Sequence, residues 1–320
     1  MNVGTPQGRP LSLGVDIGGT KAHGVVLDPS DRLLAEVVVP TQPQEAGIRA
    51  TVLAVAGILA SDLGVTTADF STIGLGIPGL VDHTTGIVET AVNLQIARTD
   101  LTALLAEDFP ARVRVENDVK ATALGAGPVL KTTGDLAYVN LGTGVAAAAV
   151  SRGRLIRGAR NGAGEVGHLA IDPAGELCSC GQRGCLETAL GGSYITRRIA
   201  PLGLDLGSVG TDPRPEAVAE SARMVSALAT ALTLVVIAYD SAVVVLGGGV
   251  LRGADWLRGR VEADLRRRAE SSPFLAGLAV ADRLVALPPD TPVAAIGAAV
   301  VGRKKELKSR HTVGVAGVGG

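Results

Sequence analysis

Leu11-Ser12-Leu13-Gly14-Val15-Asp16-Ile17-Gly18-Gly19-Thr20-Lys21-Ala22-His23-Gly24-Val25-Val26-Leu27 is the stretch on which the fold turns. Two apolar, β-branched runs flank a glycine pair, which predicts strands over Leu11–Asp16 and Ala22–Leu27 joined by a tight hairpin. The unit recurs. Strands predicted over Leu136–Leu141 and Val145–Val150 flank Gly142-Thr143-Gly144. After the first copy come a strand over Leu33–Val39 and a helix over about 44–62. In that helix Ile48, Val52, Val55, Ile58 and Leu59 fall near the 3.6-residue period. Strands over Thr72–Ile77 and Val113–Val115 and a helix over Asp118–Leu130 complete the half. After the second copy come helices near 191–200 and 215–239 and a strand over Ala242–Leu246. A helix near 253–270, a strand near 282–287 and a helix near 293–307 follow. A duplicated unit of this kind predicts two α/β lobes with a cleft between them, divided near Glu116–Asp118.

Composition narrows the function. Of 320 residues 47% are hydrophobic, enough for a large core. Thirty basic residues stand against 31 acidic ones, so nothing draws the chain to nucleic acid or an anionic membrane. Aromatic residues are only 2%, too few for a base-stacking platform. The N-terminus carries no apolar signal segment. The longest uncharged apolar run, Met224 to Tyr239, falls short of the roughly 20 residues a membrane span needs. We therefore expect a cytoplasmic protein without membrane or nucleic-acid partners. The basic residues Arg303, Lys304, Lys305, Lys308 and Arg310 read as a helix C-terminus leading into a frayed end.

Three glycine-rich strand ends suit phosphate. In Asp16-Ile17-Gly18-Gly19-Thr20-Lys21 the glycines let backbone N–H groups approach a ligand, and Thr20 and Lys21 add a donor and a charge. Asp16 could hold Mg²⁺ directly or through water. Gly142-Thr143-Gly144 repeats the chemistry in the second half. Gly247-Gly248-Gly249 opens a helix whose N-terminus favours an anion or a nucleotide. Each alone is also an ordinary turn; three at strand ends argue for phosphate together. Gly74-Leu75-Gly76-Ile77-Pro78-Gly79 matches a dinucleotide fingerprint, but Pro78 and the strand-like residues after it argue against a helix opening there. No P-loop motif is present.

All three cysteines of the chain, Cys178, Cys180 and Cys185, lie within eighteen residues of His168. Three thiolates and an imidazole make a complete tetrahedral zinc set, and a four-ligand site is closed and structural. The alternative is three buried thiols.

These motifs resemble the ROK family of sugar kinases and repressors, and most of all its bacterial glucokinases. The likeness rests on the first hairpin, on Glu116-Asn117-Asp118 and on Gly164-Glu165-Val166-Gly167-His168. It rests also on the run from Cys178 to Glu187, and it extends from Leu11 to about Val301. It implies an α/β, actin-like (ribonuclease-H-like) two-lobe fold with an interlobe cleft and a structural zinc knot. Residues 11–117 plus about 293–312 would form a smaller lobe and residues 118–292 a larger one, with flexible ends at 1–10 and 313–320. The resemblance also implies ATP, Mg²⁺ and Zn²⁺ as cofactors and a homodimer or homotetramer. It makes Asp118 the catalytic base and assigns Gly79, Asn93, Asn117, Glu165, His168 and Glu187 to sugar contacts. The zinc would lock His168 so that its second ring nitrogen meets the sugar.

The implied reaction is transfer of a phosphoryl group from ATP to the primary hydroxyl of a hexose, glucose foremost. Other substrates of the same chemistry are N-acetylglucosamine, N-acetylmannosamine, mannose, fructose or a cyclitol, and polyphosphate is an alternative donor. A sugar-responsive repressor or a non-catalytic sugar binder is a minor alternative; no basic recognition helix fits in the roughly ten residues before the first strand. Two departures bear on specificity. Asn93-Leu94 runs on into Gln95-Ile96-Ala97-Arg98, where many relatives have Pro-Gly-Trp. Lys120 stands where Asn is common, and reads either as a solvated helix residue or as a contact to phosphate or substrate.

Overall fold

The computed structural model describes residues 10–288 and 290–303. Expectations for the chain before and beyond these, including the helix past Arg303 and its basic residues, lie outside the described residues. The first sheet contains β1 (Leu11–Ile17), β2 (Lys21–Leu27), β3 (Leu33–Pro40), β4 (Phe70–Ile77) and β8 (Val113–Asn117), in the order β3-β2-β1-β4-β8. Helix α1 (Gln44–Leu63) covers it through Ile48, Val52, Val55 and Leu59, the periodic apolar positions. Between β4 and β8 lies a small antiparallel sheet of β5 (Leu80–Asp82), β6 (Ile87–Ala91) and β7 (Ile96–Asp100), followed by the short helix α2 (Leu101–Leu104).

Helix α3 (Asp118–Leu130) leads to the second large sheet. Its strands are β9 (Leu136–Leu141), β10 (Val145–Ser151), β11 (Arg154–Leu155), β12 (Val243–Gly247) and β13 (Leu284–Val285), in the order β11-β10-β9-β12-β13. The helices of this half are α4 (Leu186–Leu190), α5 (Gly192–Ile199), α6 (Pro215–Tyr239), α7 (Gly249–Gly253), α8 (Asp255–Glu270) and α9 (Pro273–Leu278). Each large sheet is thus an antiparallel hairpin extended by parallel strands: β1 pairs antiparallel with β2 and parallel with β4, and β9 pairs likewise with β10 and β12. The expected helix near 253–270 is α8, preceded by the short α7, and the strand near 282–287 is the two-residue β13. Beyond the strand-like stretch after Pro78, where β5 lies, the small sheet has no counterpart in the predicted elements, and neither do β11, α2, α4, α7 and α9. Helices α1 and α6 are long and apolar enough to cross a membrane, but their apolar faces pack into the two sheets.

The last helix, α10 (Val293–Arg303), lies against β1, β2 and β4 and against α3. Glycine makes this possible. A Cβ on Gly14 would stand 2.2 Å from the Ala295 carbonyl, and one on Gly74 1.8 Å from that of Ala298. The fingerprint-like Gly74 is therefore a packing residue: only a strand without a side chain there lets the helix backbone rest on the sheet. The α3–α10 contact is equally close, with a Cβ on Gly297 falling 1.8 Å from the Ala121 carbonyl.

Candidate active site and metal cluster

A cleft of about 340 Å³ opens between the lobes. Its walls include Gly79 and Leu80 from the β4–β5 turn, Asn117 and Asp118 at the β8–α3 junction, and Asn140 and Gly144 from the second hairpin. Glu165 and Glu187 close the far side. Six expected site residues, Gly79, Asn117, Asp118, Gly144, Glu165 and Glu187, thus share one cavity although they are spread over 109 residues of chain.

Asp118 is the first residue of α3; the N-cap is Asn117, whose Oδ1 accepts from Lys120 N at 3.1 Å. The cap role thus falls to Asn117 and leaves the Asp118 carboxylate to the cleft. Asn117 Nδ2 donates to the Gly79 carbonyl at 3.1 Å, tying the turn after β4 to the end of the neighbouring strand β8. Gly79 has φ of 105°, and a Cβ there would lie 1.9 Å from the Thr90 carbonyl, so only glycine fits the turn. Asp118 Oδ1 accepts from Val119 N at 2.9 Å. Burial raises the Asp118 carboxyl above its ordinary value, and the Glu165 charge raises it further. Asp16 lies close by. Burial, then the Asp118 charge, push its pKa up to about 7, with Lys21 pulling the other way. Two neighbouring carboxylates of raised pKa in a cleft are a candidate functional pair. Their chemistry also suits a hard divalent cation, which neutralises such a pair through oxygen ligands.

The two hairpins are braced differently. Gly18 N donates to the Lys21 carbonyl at 3.0 Å, and Gly19, Thr20 and Lys21 are exposed. The tip of the second hairpin is held from α5: Gly192 N donates to the Gly142 carbonyl at 2.9 Å and Ser193 Oγ to that of Thr143 at 3.1 Å. Glu187 Oε2 accepts from Val145 N at 3.1 Å, just past Gly144. Gly247 and Gly248 are packed against β9, where Cβ atoms would meet Tyr138 Oη at 2.3 Å and the Leu141 carbonyl at 2.2 Å. Gly249 opens α7, a helix of only five residues.

Asn93 does not line the cleft. It lies beside the first hairpin, with its Cβ 3.4 Å from where a Gly19 side chain would begin. His168 is not among the cleft-lining residues either; its Nδ1 faces the cysteines, 3.7 Å from Cys178 Sγ. The ligand atoms of His168, Cys178, Cys180 and Cys185 all fall within 4.8 Å of one another. Cys180 Sγ and Cys185 Sγ are 3.7 Å apart. Tetrahedral zinc with bonds of about 2.3 Å sets sulfurs about 3.8 Å apart, so the donor set fits the ion. Backbone N–H donation from Gln182 holds the Cys180 thiol down to about 6, while burial pushes Cys185 up to about 12. Metal capture must displace that second proton. The knot is pinned to α5, with Ser179 N donating to Tyr194 Oη at 2.8 Å and Arg198 Nη1 to Glu176 at 3.0 Å.

Asn140 and Glu116 carry no role of their own in the motif reading. Asn140 lines the cleft and accepts from Tyr138 Oη at 3.2 Å. Glu116, 1% exposed, pairs with Arg157 at 2.7 Å. A carboxylate at an inward strand position needs a cation, and that rule was the available signal. Lys120 is 5% exposed, which overturns its reading as a solvated helix residue.

Two α/β lobes around a cleft lined by carboxylates define the actin-like two-lobe class of folds. Residues 12–315 match the ROK family model, and the chain belongs to that family. A glucokinase of Halalkalibacterium halodurans is 34% identical over 193 residues, 58% of each chain. The DNA-binding transcriptional dual regulator NagC of Escherichia coli is 30% identical over 60% of this chain and 48% of its own length. The chain thus spans about half the length of these curated relatives. Among solved structures, a ROK hexokinase from Thermus thermophilus superposes with a TM-score of 0.78 at 29% identity, covering 91% of this chain and 97% of its own. A ROK glucokinase from Streptomyces griseus, in complex with glucose and AMPPNP, gives 0.72 at 26% identity, covering 92% and 99%. The chain is similar to these sugar kinases in sequence and in fold.

Proposed function

We propose that this chain is an ATP-dependent hexokinase that phosphorylates glucose at its primary hydroxyl to give glucose 6-phosphate. The observation that carries the reading is Asp118, at the start of α3, in one cleft with Glu165 and Glu187. Phosphoryl transfer asks the protein mainly for positioning and charge. Asp118 orients the attacking hydroxyl and accepts its proton, and burial raises its pKa, which makes the carboxylate a stronger base. Glu165 and Glu187 accept hydroxyl groups of the sugar ring, Asn117 and the Gly79 turn border the same cavity, and the Nε2 of His168 is free to join them. The hairpins at Gly18–Lys21 and Gly142–Gly144 take the phosphates of ATP, with Gly247–Gly249 toward the nucleoside. Asp16 and Asp118 suit Mg²⁺, which when bound would offset phosphate charge. We assign residues 11–117 with the helix from Val293 to one lobe and 118–292 to the other, closing over the substrates as a homo-oligomer of two or four chains.

A coupled ADP-release assay over glucose, mannose, fructose, N-acetylglucosamine, N-acetylmannosamine and a cyclitol tests the reading, with polyphosphate as a second donor. The highest kcat/KM is expected on glucose with ATP. A different preferred sugar would move the substrate while leaving the kinase, and turnover on none would sink the enzyme. Asp118→Asn should lower kcat by about 10²–10⁴-fold with sugar affinity largely kept. A variant of near-normal rate would remove Asp118 from its role.

A further inference from the structure

Lys120 is two residues past Asp118 on α3, so the two side chains leave the helix on different faces. With 5% of its surface exposed, its ammonium would be costly to bury without partners. It donates to the backbone carbonyl of Asn161. Burial lowers its pKa, with Arg157 adding to the effect, while the charges of Glu116, Glu165 and Asp118 hold the ammonium against that pull.

Asn161 is in the loop that ends at Glu165, and this loop is fastened from both lobes. Arg157 pairs with Glu116 of β8 at 2.7 Å. The Asn161 side chain meets His83 Nδ1, in the β5–β6 turn, at 3.0 Å. At the far end Ala147 N of β10 donates to the Gly164 carbonyl at 2.8 Å, and a Cβ on Gly164 would strike the Ala147 carbonyl at 1.9 Å. Glu165 follows directly and lines the cleft. Between the Arg157 and Gly164 anchors, the Lys120 bond is the tie that joins the loop to the helix bearing Asp118.

We propose that Lys120 is a positioning residue for the sugar site, holding the Asn161 carbonyl so that the loop aims the Glu165 carboxylate at the sugar beside Asp118. The inference rests on the sugar-kinase reading above. It gives the loop one purpose: among its anchors, the buried ammonium is the one that sets the carboxylate gripping the sugar against the helix that carries the base. It also gives Lys120 a role in choosing the sugar, since a loop displaced by even an ångström loses the hydroxyl that Glu165 holds.

The test compares Lys120→Met, Lys120→Gln, Lys120→Arg and Asn161→Ala with wild type, by steady-state kinetics and by calorimetric glucose binding. Lys120→Met should raise the sugar KM and the glucose Kd by about tenfold or more, with ATP KM unchanged and kcat within about threefold. Lys120→Arg, which keeps charge and donor, should recover most of the loss. Asn161→Ala keeps the backbone carbonyl and should cost less than Lys120→Met. If Lys120→Met does not fold, Lys120→Gln carries the same comparison. Sugar KM and Kd within twofold of wild type in the folded variant would overturn the proposal. So would a uniform loss of kcat and of both affinities that follows melting temperature without rescue by Arg. Wild-type turnover with unmoved variants sinks this inference alone; a wild type that neither turns over nor binds any hexose sinks both readings.

Discussion

Glu187 Oε2 accepts a hydrogen bond from Val145 N at 3.1 Å, joining the helix after the last cysteine to the strand after the second glycine hairpin. The carboxylate expected on the sugar is therefore also the clamp of a phosphate loop. It is two residues from Cys185, and a Cβ on Gly144 would come within 2.4 Å of the same oxygen. The expected sugar contact, the second glycine hairpin and the cysteine cluster thus meet at one side chain.

Glu187→Gln should consequently weaken both substrates. An amide in place of the carboxylate weakens a charge-assisted bond to Val145 and one to the sugar. We expect sugar KM and ATP KM each to rise by about tenfold, read by varying one substrate at saturation of the other. A rise in sugar KM alone would detach Glu187 from the hairpin.

Asp16 sets a pH dependence. Its folded pKa of about 7 lies above the ordinary carboxyl value of 3.8. Between these two values an unfolded chain releases the proton that the folded one keeps, so folding stability falls as pH rises from about 4 to 7 and the penalty is complete above 7. Water reaching the carboxylate through the cleft limits that penalty. Asp16→Asn should gain about 1–2 kcal/mol over wild type at pH 8 and almost nothing at pH 4, by urea denaturation at both values. The same variant should lose most Mg-ATP turnover. In wild type, kcat/KM for Mg-ATP should fall as pH drops through about 7, where Asp16 takes up its proton. A stability difference independent of pH would contradict the assignment.

Zinc should be found at one ion per chain by elemental analysis. Chelation should lower the melting temperature and raise the sugar KM, because Cys185 precedes Leu186 and Glu187 at the head of α4. Structural zinc contributes about 10 kcal/mol or more in small peptides, and part of that should register in a larger fold. Clearly substoichiometric zinc with full activity would dismiss the knot.

Gly74→Ala should destabilise the protein by about 1–3 kcal/mol or more through collision with the Ala298 carbonyl, measured by urea unfolding. Unchanged stability would mean that α10 yields more readily than close-packed backbones do.

Much of the architecture could be read from local pattern. Strand and helix periods marked both hairpins, α1, α3 and α6 within a residue or two, because backbone conformation answers to neighbours in sequence. The small sheet of β5, β6 and β7 escaped, since strands of three to five residues with exposed sides carry little periodicity. The His168, Cys178, Cys180 and Cys185 set was legible because its ligands are clustered in the chain and rare elsewhere in it.

By itself the sequence determined the duplicated hairpin, the His168–cysteine cluster, the family and the order of the longer elements. Each is written in residues close together or in motifs whose chemistry admits few uses. Tertiary structure alone decided that Lys120 is buried against Asn161 and that Gly74 belongs to the α10 contact. It alone placed Asn93 beside Gly19 rather than in the cleft. These depend on which distant backbone arrives at a position: α10 reaches β4 from more than 200 residues away, and the Asn161 loop reaches Lys120 from 41. A short-range pattern records the propensity of a residue, whereas its burial and its partners are set by the packing of segments that the pattern does not contain.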